Sequence, residues 1–146
     1  MKISGLSVLL VVLWGCAGVE SRLGAGPSAF DLIITDQPLR QSFEVRLTSR
    51  VDFPFCIDAD AWPNSLGQVA AGSQLIRLHS ESGDAFAKGG YAEYCLGGCE
   101  VVVPARGTVI GHVNYSAFGD PLWVASLPNR TLYLDVRPAR CNHDHR

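Results

Sequence analysis

Apolar and polar residues alternate with a period of two in several separate runs of this chain. In Phe43-Glu44-Val45-Arg46-Leu47-Thr48 the odd positions are apolar and the even ones polar, which is what a strand requires when one face meets a core and the other meets water. Near the end, Leu132, Leu134 and Val136 share one face while Thr131, Tyr133, Asp135 and Arg137 share the other. Shorter β-rich runs cover Gln74 to Leu78, Gly90 to Tyr94, Glu100 to Val103, Thr108 to Tyr115 and Leu122 to Leu127. Turn chemistry parts them at Glu81-Ser82-Gly83-Asp84, Pro104-Ala105-Arg106-Gly107, Gly119-Asp120-Pro121 and Pro128-Asn129-Arg130. Glycine and proline interrupt every candidate helical period. The pattern predicts one all-β domain over residues 30–146, with about seven to nine short antiparallel strands and a sandwich preferred over a small barrel.

The front of the chain has a different texture. Ile3 to Trp14 is almost purely apolar behind the single cation Lys2, and small residues crowd Cys16, the layout of an export signal. This run is shorter than the roughly twenty residues a helix needs to cross the hydrocarbon core. From Ala17 to Ala29 the residues are mostly Gly, Ala, Ser and Pro with no apolar period. Such a segment behaves as a flexible tether with a typical reach of about 20 Å. The sequence Leu13-Trp14-Gly15-Cys16 resembles the lipobox of bacterial lipoproteins. That resemblance implies removal of residues 1–15 as a signal peptide, lipidation of Cys16 as the first mature residue, and a tether over 16–29. Ala17, where an aspartate would signal retention in the inner membrane, leans the implied location to the outer membrane, facing the periplasm or the exterior. An ordinary signal peptide cut after Gly15 or Gly18 is the competing reading.

Charge and cysteine count narrow the partners. The formal net charge is −2, from 12 basic and 14 acidic residues; loss of Lys2 leaves 11 − 14 = −3. With no basic stripe to hold a phosphate backbone, nucleic acid is not an expected partner. The chain holds five cysteines. If Cys16 carries lipid, Cys56, Cys95, Cys99 and Cys141 form an even set in a compartment where disulfides persist. Three connectivities are open to them. Long-range pairs are favoured, because closing long loops removes more entropy from the unfolded chain, about 3 to 4 kcal/mol in the loop-closure account. The run Phe43 to Ser49 into Phe53-Pro54-Phe55-Cys56, then Val101-Val102-Val103-Pro104 and Gly107, Tyr115 to Phe118 and a last strand ending at Cys141, resembles the immunoglobulin-like sandwiches found as accessory or inhibitor modules of secreted bacterial proteins. This implies an architecture more than an activity.

Candidate chemistry is sparse. Cys141, His143 and His145 alternate in the tail and, with Cys95 and Cys99, offer soft ligands for zinc. The Cys95-x3-Cys99 spacing fits a structural zinc site but Cys141-x-His143 does not fit well, and an oxidising compartment favours disulfides, so no metal site is assigned. Asp58 and Asp60 could face the same way, but the glycine and glutamate of a calcium loop are missing at the required offsets. A solvated loop edge fits them better. No nucleophile elbow, zinc-protease motif or phosphate loop is present; His79 lies in no recognisable catalytic motif, and His112 belongs on the solvent face of its run. No catalytic site and no cofactor is expected. Two glycosylation patterns, at Asn114 and Asn129, carry no weight in a bacterial lipoprotein. The best recognition candidate is Trp62-Pro63-Asn64, where an indole on a rigid turn could act as an interface anchor. The competing reading folds Trp62 back as a plug over the sandwich end. Trp123 is expected in the core. The functional expectation is a non-enzymatic binding or structural module, anchored to the membrane by lipid and meeting an envelope protein. Alternatives are an inhibitor of an envelope hydrolase, such as a protease or lysozyme, and a metal-binding lipoprotein.

Overall fold

A computed structural model describes residues 29–88 and 100–141; the signal segment, most of the tether, the run Gly90 to Tyr94 and the residues after Cys141 lie outside the described part. The alternating run at Ser42–Ser49 forms a central strand, β2, with Phe43, Val45 and Leu47 buried and Glu44, Arg46 and Thr48 turned outward. It pairs antiparallel with β1 (Phe30–Gln37) on one side and β7 (Thr108–Asn114) on the other. Strand β3 (Phe55–Asp58) pairs with β6 (Glu100–Val103). A third sheet has the order β5 (Gly83–Phe86), β4 (Ile76–Ser80), β8 (Thr131–Leu134). The described chain is mostly strand, every pairing is antiparallel, and one short helix, α1 (Pro121–Ser126), completes the elements with three single 3-10 turns.

The inner faces of all three sheets meet in a single buried cluster. Phe43, Val45 and Leu47 come from β2, Ile57 from β3, Ile76 and Leu78 from β4, Val103 from β6, Val113 from β7 and Leu132 from β8, with Tyr115 and Phe118 closing one end. Burying one such side chain contributes about 1.5 to 3 kcal/mol.

A disulfide joins Cys56 to Cys141 across 85 positions, a long-range pairing as the loop-closure argument favours. It reinforces a two-bond bridge in which Cys56 and Ala139 exchange backbone hydrogen bonds of 2.9 and 2.8 Å. The end of the chain is thereby laid along β3. Cys56 is thus not free to bridge to Cys95 or Cys99, which lie outside the described residues.

Two local expectations are corrected. Leu122 to Leu127 is not a strand: Leu122 to Ser126 belong to the six-residue helix α1, started by Pro121 and capped by the Asp120 carboxylate, which accepts from the Leu122 and Trp123 N–H groups at 2.7 and 3.3 Å. The fourth strand runs from Ile76, not from Gln74, because the Ser73 hydroxyl accepts from Leu75 N–H and donates to Asp60 C=O at 2.7 Å, holding that stretch as a turn.

Candidate functional site

The outward face of the β5-β4-β8 sheet concentrates polar and aromatic chemistry. Ile76, Leu78 and Ser80 point inward from β4, which turns Arg77 and His79 to solvent. The registers place Phe86 and Tyr133 on either side of Arg77, and Asp84 and Thr131 on either side of His79. The Arg77 guanidinium lies 5.2 Å from the centre of the Tyr133 ring and 3.4 Å from Asp84 Oδ2. His79 Nδ1 is 2.6 Å from Asp84 Oδ1, and the imidazole meets Tyr133 edge-on at 6.2 Å. Phe86 and Tyr133 remain 43% and 45% exposed. A cation held by a cross-strand aromatic and a carboxylate is attracted to both. The result is a mixed aromatic and charged platform on the solvent face of the sheet.

Beside this platform lies an open hollow of about 440 Å³ lined by Gln74, Arg77, Phe86, Tyr133 and Asp135 among others. A second hollow of about 380 Å³ shares Leu75 and Asp135 with it and adds Asp58, Glu100 and Arg137. The hydrogen bond from the Arg137 guanidinium holds the Asp135 carboxyl below its ordinary value, so a charged pair marks the boundary between the two. His79 and Asp84 supply a base and its orienting acid, yet among the described residues no hydroxyl or thiol hydrogen-bonds His79. The platform is equipped to bind planar, anionic or aromatic groups by stacking and ion pairing.

The residues singled out from sequence fall elsewhere. Trp62 is only 5% exposed and packs against β7 where Gly111 leaves room, so it is a plug and not an exposed anchor. Pro63 is buried with it. Asn64 builds the turn that follows: its Oδ1 accepts from Leu66 and Gln68 N–H at 2.9 and 3.0 Å, and its Nδ2 donates to Gln68 Oε1 at 3.0 Å. Asn114 on β7 clasps this loop by donating its Nδ2 to Leu66 C=O at 2.9 Å. Leu66 is left on the outside of the braced turn. Trp123 is exposed on α1, correcting its expected place in the core. Asp58 and Asp60 are both exposed, and Asp58 caps the 3-10 turn Ala59–Ala61 by accepting from Asp60 N–H at 3.0 Å. His112 is half-buried on the outer face of β7.

For metals, the ligand atoms of Cys56, Glu100 and Cys141 lie within 4.8 Å of one another, but both sulfurs belong to the disulfide and offer no thiolate. Cys141 is thereby removed from the tail cluster. Cys95, Cys99, His143 and His145 lie outside the described residues, as does Cys16.

A network that sequence reading missed sits at the far end of β1. Tyr115 donates its hydroxyl to Asp36, and Arg130 donates to the same hydroxyl at 2.9 and 3.2 Å while pairing with Asp36 at 2.8 Å. Arg130 also stacks over the Tyr115 ring at 5.1 Å and donates to Ala125 C=O at the end of α1 at 2.7 Å. Burial, followed by the bond to Asp36, pushes the Tyr115 hydroxyl up to about 12. The network ties β1, Tyr115 and α1 together through a largely buried Arg130 and Tyr115, with Asp36 reaching solvent at its rim, so it reads as a structural brace. Its members are separated by 79 and 15 positions, and no local motif unites them.

Compared with known proteins, the chain matches no family model, no curated protein and no solved structure.

Proposed function

We propose that this chain is a membrane-anchored, non-enzymatic binding module of the bacterial cell envelope, which engages a protein partner through the Phe86-Arg77-Tyr133 row. The carrying observation is that row: two half-exposed aromatics flank an arginine on a sheet face, and aromatic residues with arginine are the side chains that most often dominate interface energetics. The anchor follows from the lipobox resemblance at Cys16, and the outer membrane from Ala17. An immunoglobulin-like sandwich is the architecture we assign, supported by antiparallel sheets around one core and by the β1-β2-β7 order, in which β2 and β7 pair from distant parts of the chain.

The test is a pull-down from envelope extracts with the wild type and an Arg77→Ala/Tyr133→Ala double variant. Loss of a partner from the variant supports the face, whereas an unchanged partner list removes it. Mass spectrometry of the mature amino terminus tests the anchor, and an unmodified Cys16 rules it out.

Inhibition of an envelope hydrolase is a second reading, favoured by one observation. The loop Asn64 to Gln68 is braced by its own hydrogen bonds and by Asn114, and it presents Leu66 to solvent. A preorganised loop loses little entropy on entering a cleft. Protease and lysozyme assays with added protein distinguish this reading: inhibition that disappears in Leu66→Asp supports it.

A further inference from the structure

We propose that the end of the domain where the tether enters rests on a phospholipid bilayer, with Phe53 seated among the headgroups. The inference rests on the anchor reading above. Residue 29 is fixed at this end, since Ala29 C=O accepts from Arg50 N–H at 2.9 Å. Phe53, 44% exposed, follows in the same loop. Around it Val51, Pro54, Phe55 and Pro138 line a shallow apolar hollow of about 20 Å³, with Arg140 at its edge.

Two further arginines surround the apolar patch. Arg50 pairs with Asp31 at 2.6 Å, and Arg106 pairs with Asp52 at 2.6 Å. Both pairs are solvent-exposed, so their attraction is weak and a lipid phosphate can take the place of the carboxylate. Among the described residues here, three guanidinium groups and two carboxylates leave an excess of positive charge facing the phosphates. An exposed aromatic ringed by arginines matches the chemistry of the membrane interface, where aromatic rings sit at headgroup level and long cationic chains reach outward.

The tether supplies the proximity. Thirteen residues, Ala17 to Ala29, separate Cys16 from β1, so their contour length keeps the two within about 45 Å of each other. Linkage at that range gives an effective concentration near the millimolar scale, so even a weak surface affinity holds the face down. The opposite end of the β1-β2-β7 sheet is about 23 Å away, from the strand rise over Phe30–Gln37. It carries the fully exposed Leu39 and is directed away from the bilayer in this arrangement.

The experiment reconstitutes full-length, processed protein in vesicles of phosphatidylethanolamine and phosphatidylglycerol, with and without brominated acyl chains. Two variants, Phe53→Trp and Leu39→Trp, each add one indole to the background of the wild type. The added emission is quenched in Phe53→Trp and unquenched in Leu39→Trp. An unquenched Trp at position 53, or equal quenching at both positions, overturns the docking face. Native hydrogen-exchange protection of residues 50–54 on the vesicles, relative to detergent, gives a reading free of any substitution, and its absence likewise counts against the proposal. Mass analysis of the same preparation separates the two ideas: an unmodified Cys16 removes the anchor and the docking face together, whereas a lipidated Cys16 with unquenched Trp at 53 removes the docking face alone.

Discussion

Tyr115 shows how much a single side chain holds. Its hydroxyl donates to Asp36 and accepts two bonds from Arg130, so replacing it by phenylalanine keeps the ring packing and removes three charge-assisted bonds. The Tyr115→Phe variant is expected to be less stable by about 1 to 2 kcal/mol at neutral pH. The pH dependence has a definite sign. The native state holds the phenolic proton more tightly than the unfolded chain, whose tyrosine titrates near 10, while the folded group is pushed up to about 12. The unfolded state therefore loses its proton first, and the stability from this group is complete below about pH 10 and is lost as pH rises through about 12. Urea denaturation at a series of alkaline pH values checks this: the wild type loses stability over that window more steeply than Tyr115→Phe, and parallel curves would exclude the role given to the hydroxyl.

Elements were legible where alternation was clean and hidden where it was not. β2 and β8 are read directly from their periods, because one face is buried and the other wet. β1 is obscured because Leu32, Ile33 and Ile34 run together, and Ile33 is exposed despite being apolar. α1 is hidden in the sequence because Asp120-Pro121 reads as a turn as readily as a cap with its first helical residue. The side chains that follow are reassigned with it. On α1 the inward position is Val124, and Trp123, about 100° round the axis from it, turns outward. The Arg77 platform was invisible for another reason, since Tyr133 was correctly placed on a polar face but its neighbour Arg77 comes from a strand 56 positions earlier. At this scale β7 offers a test through Gly111. A Cβ there would lie 2.7 Å from Pro63 Cγ and 3.0 Å from Trp62 Nε1, and neither ring can yield without moving its loop. Gly111→Ala is expected to cost about 1 to 3 kcal/mol and to shift the Trp62 emission to longer wavelength. Unchanged fluorescence and stability would show that the loop does not bear on this strand.

For the whole molecule, the Cys56–Cys141 link closes the largest loop among the described residues and joins the last described residues to β3. The count of cysteines favours distant partners, and Cys56–Cys141 is such a pair, but choosing Cys141 for Cys56 requires knowing that the chain returns beside β3 at Ala139. With 85 positions enclosed, the loop-closure account assigns the bond about 4 to 5 kcal/mol. A Cys56→Ala/Cys141→Ala double variant should lose that much in denaturant titration, and peptide mapping without reductant should recover the two cysteines on one cross-linked fragment. The same link determines how the molecule bears force. Tension applied between residues 29 and 141 travels through the first 27 positions to Cys56 and then directly across sulfur, so only β1, β2 and the approach to β3 lie on the loaded path. Extension under load stops at about 95 Å with the bond intact, against about 390 Å once it is reduced, and the sheet that carries Arg77 and Tyr133 stays out of the line of pull.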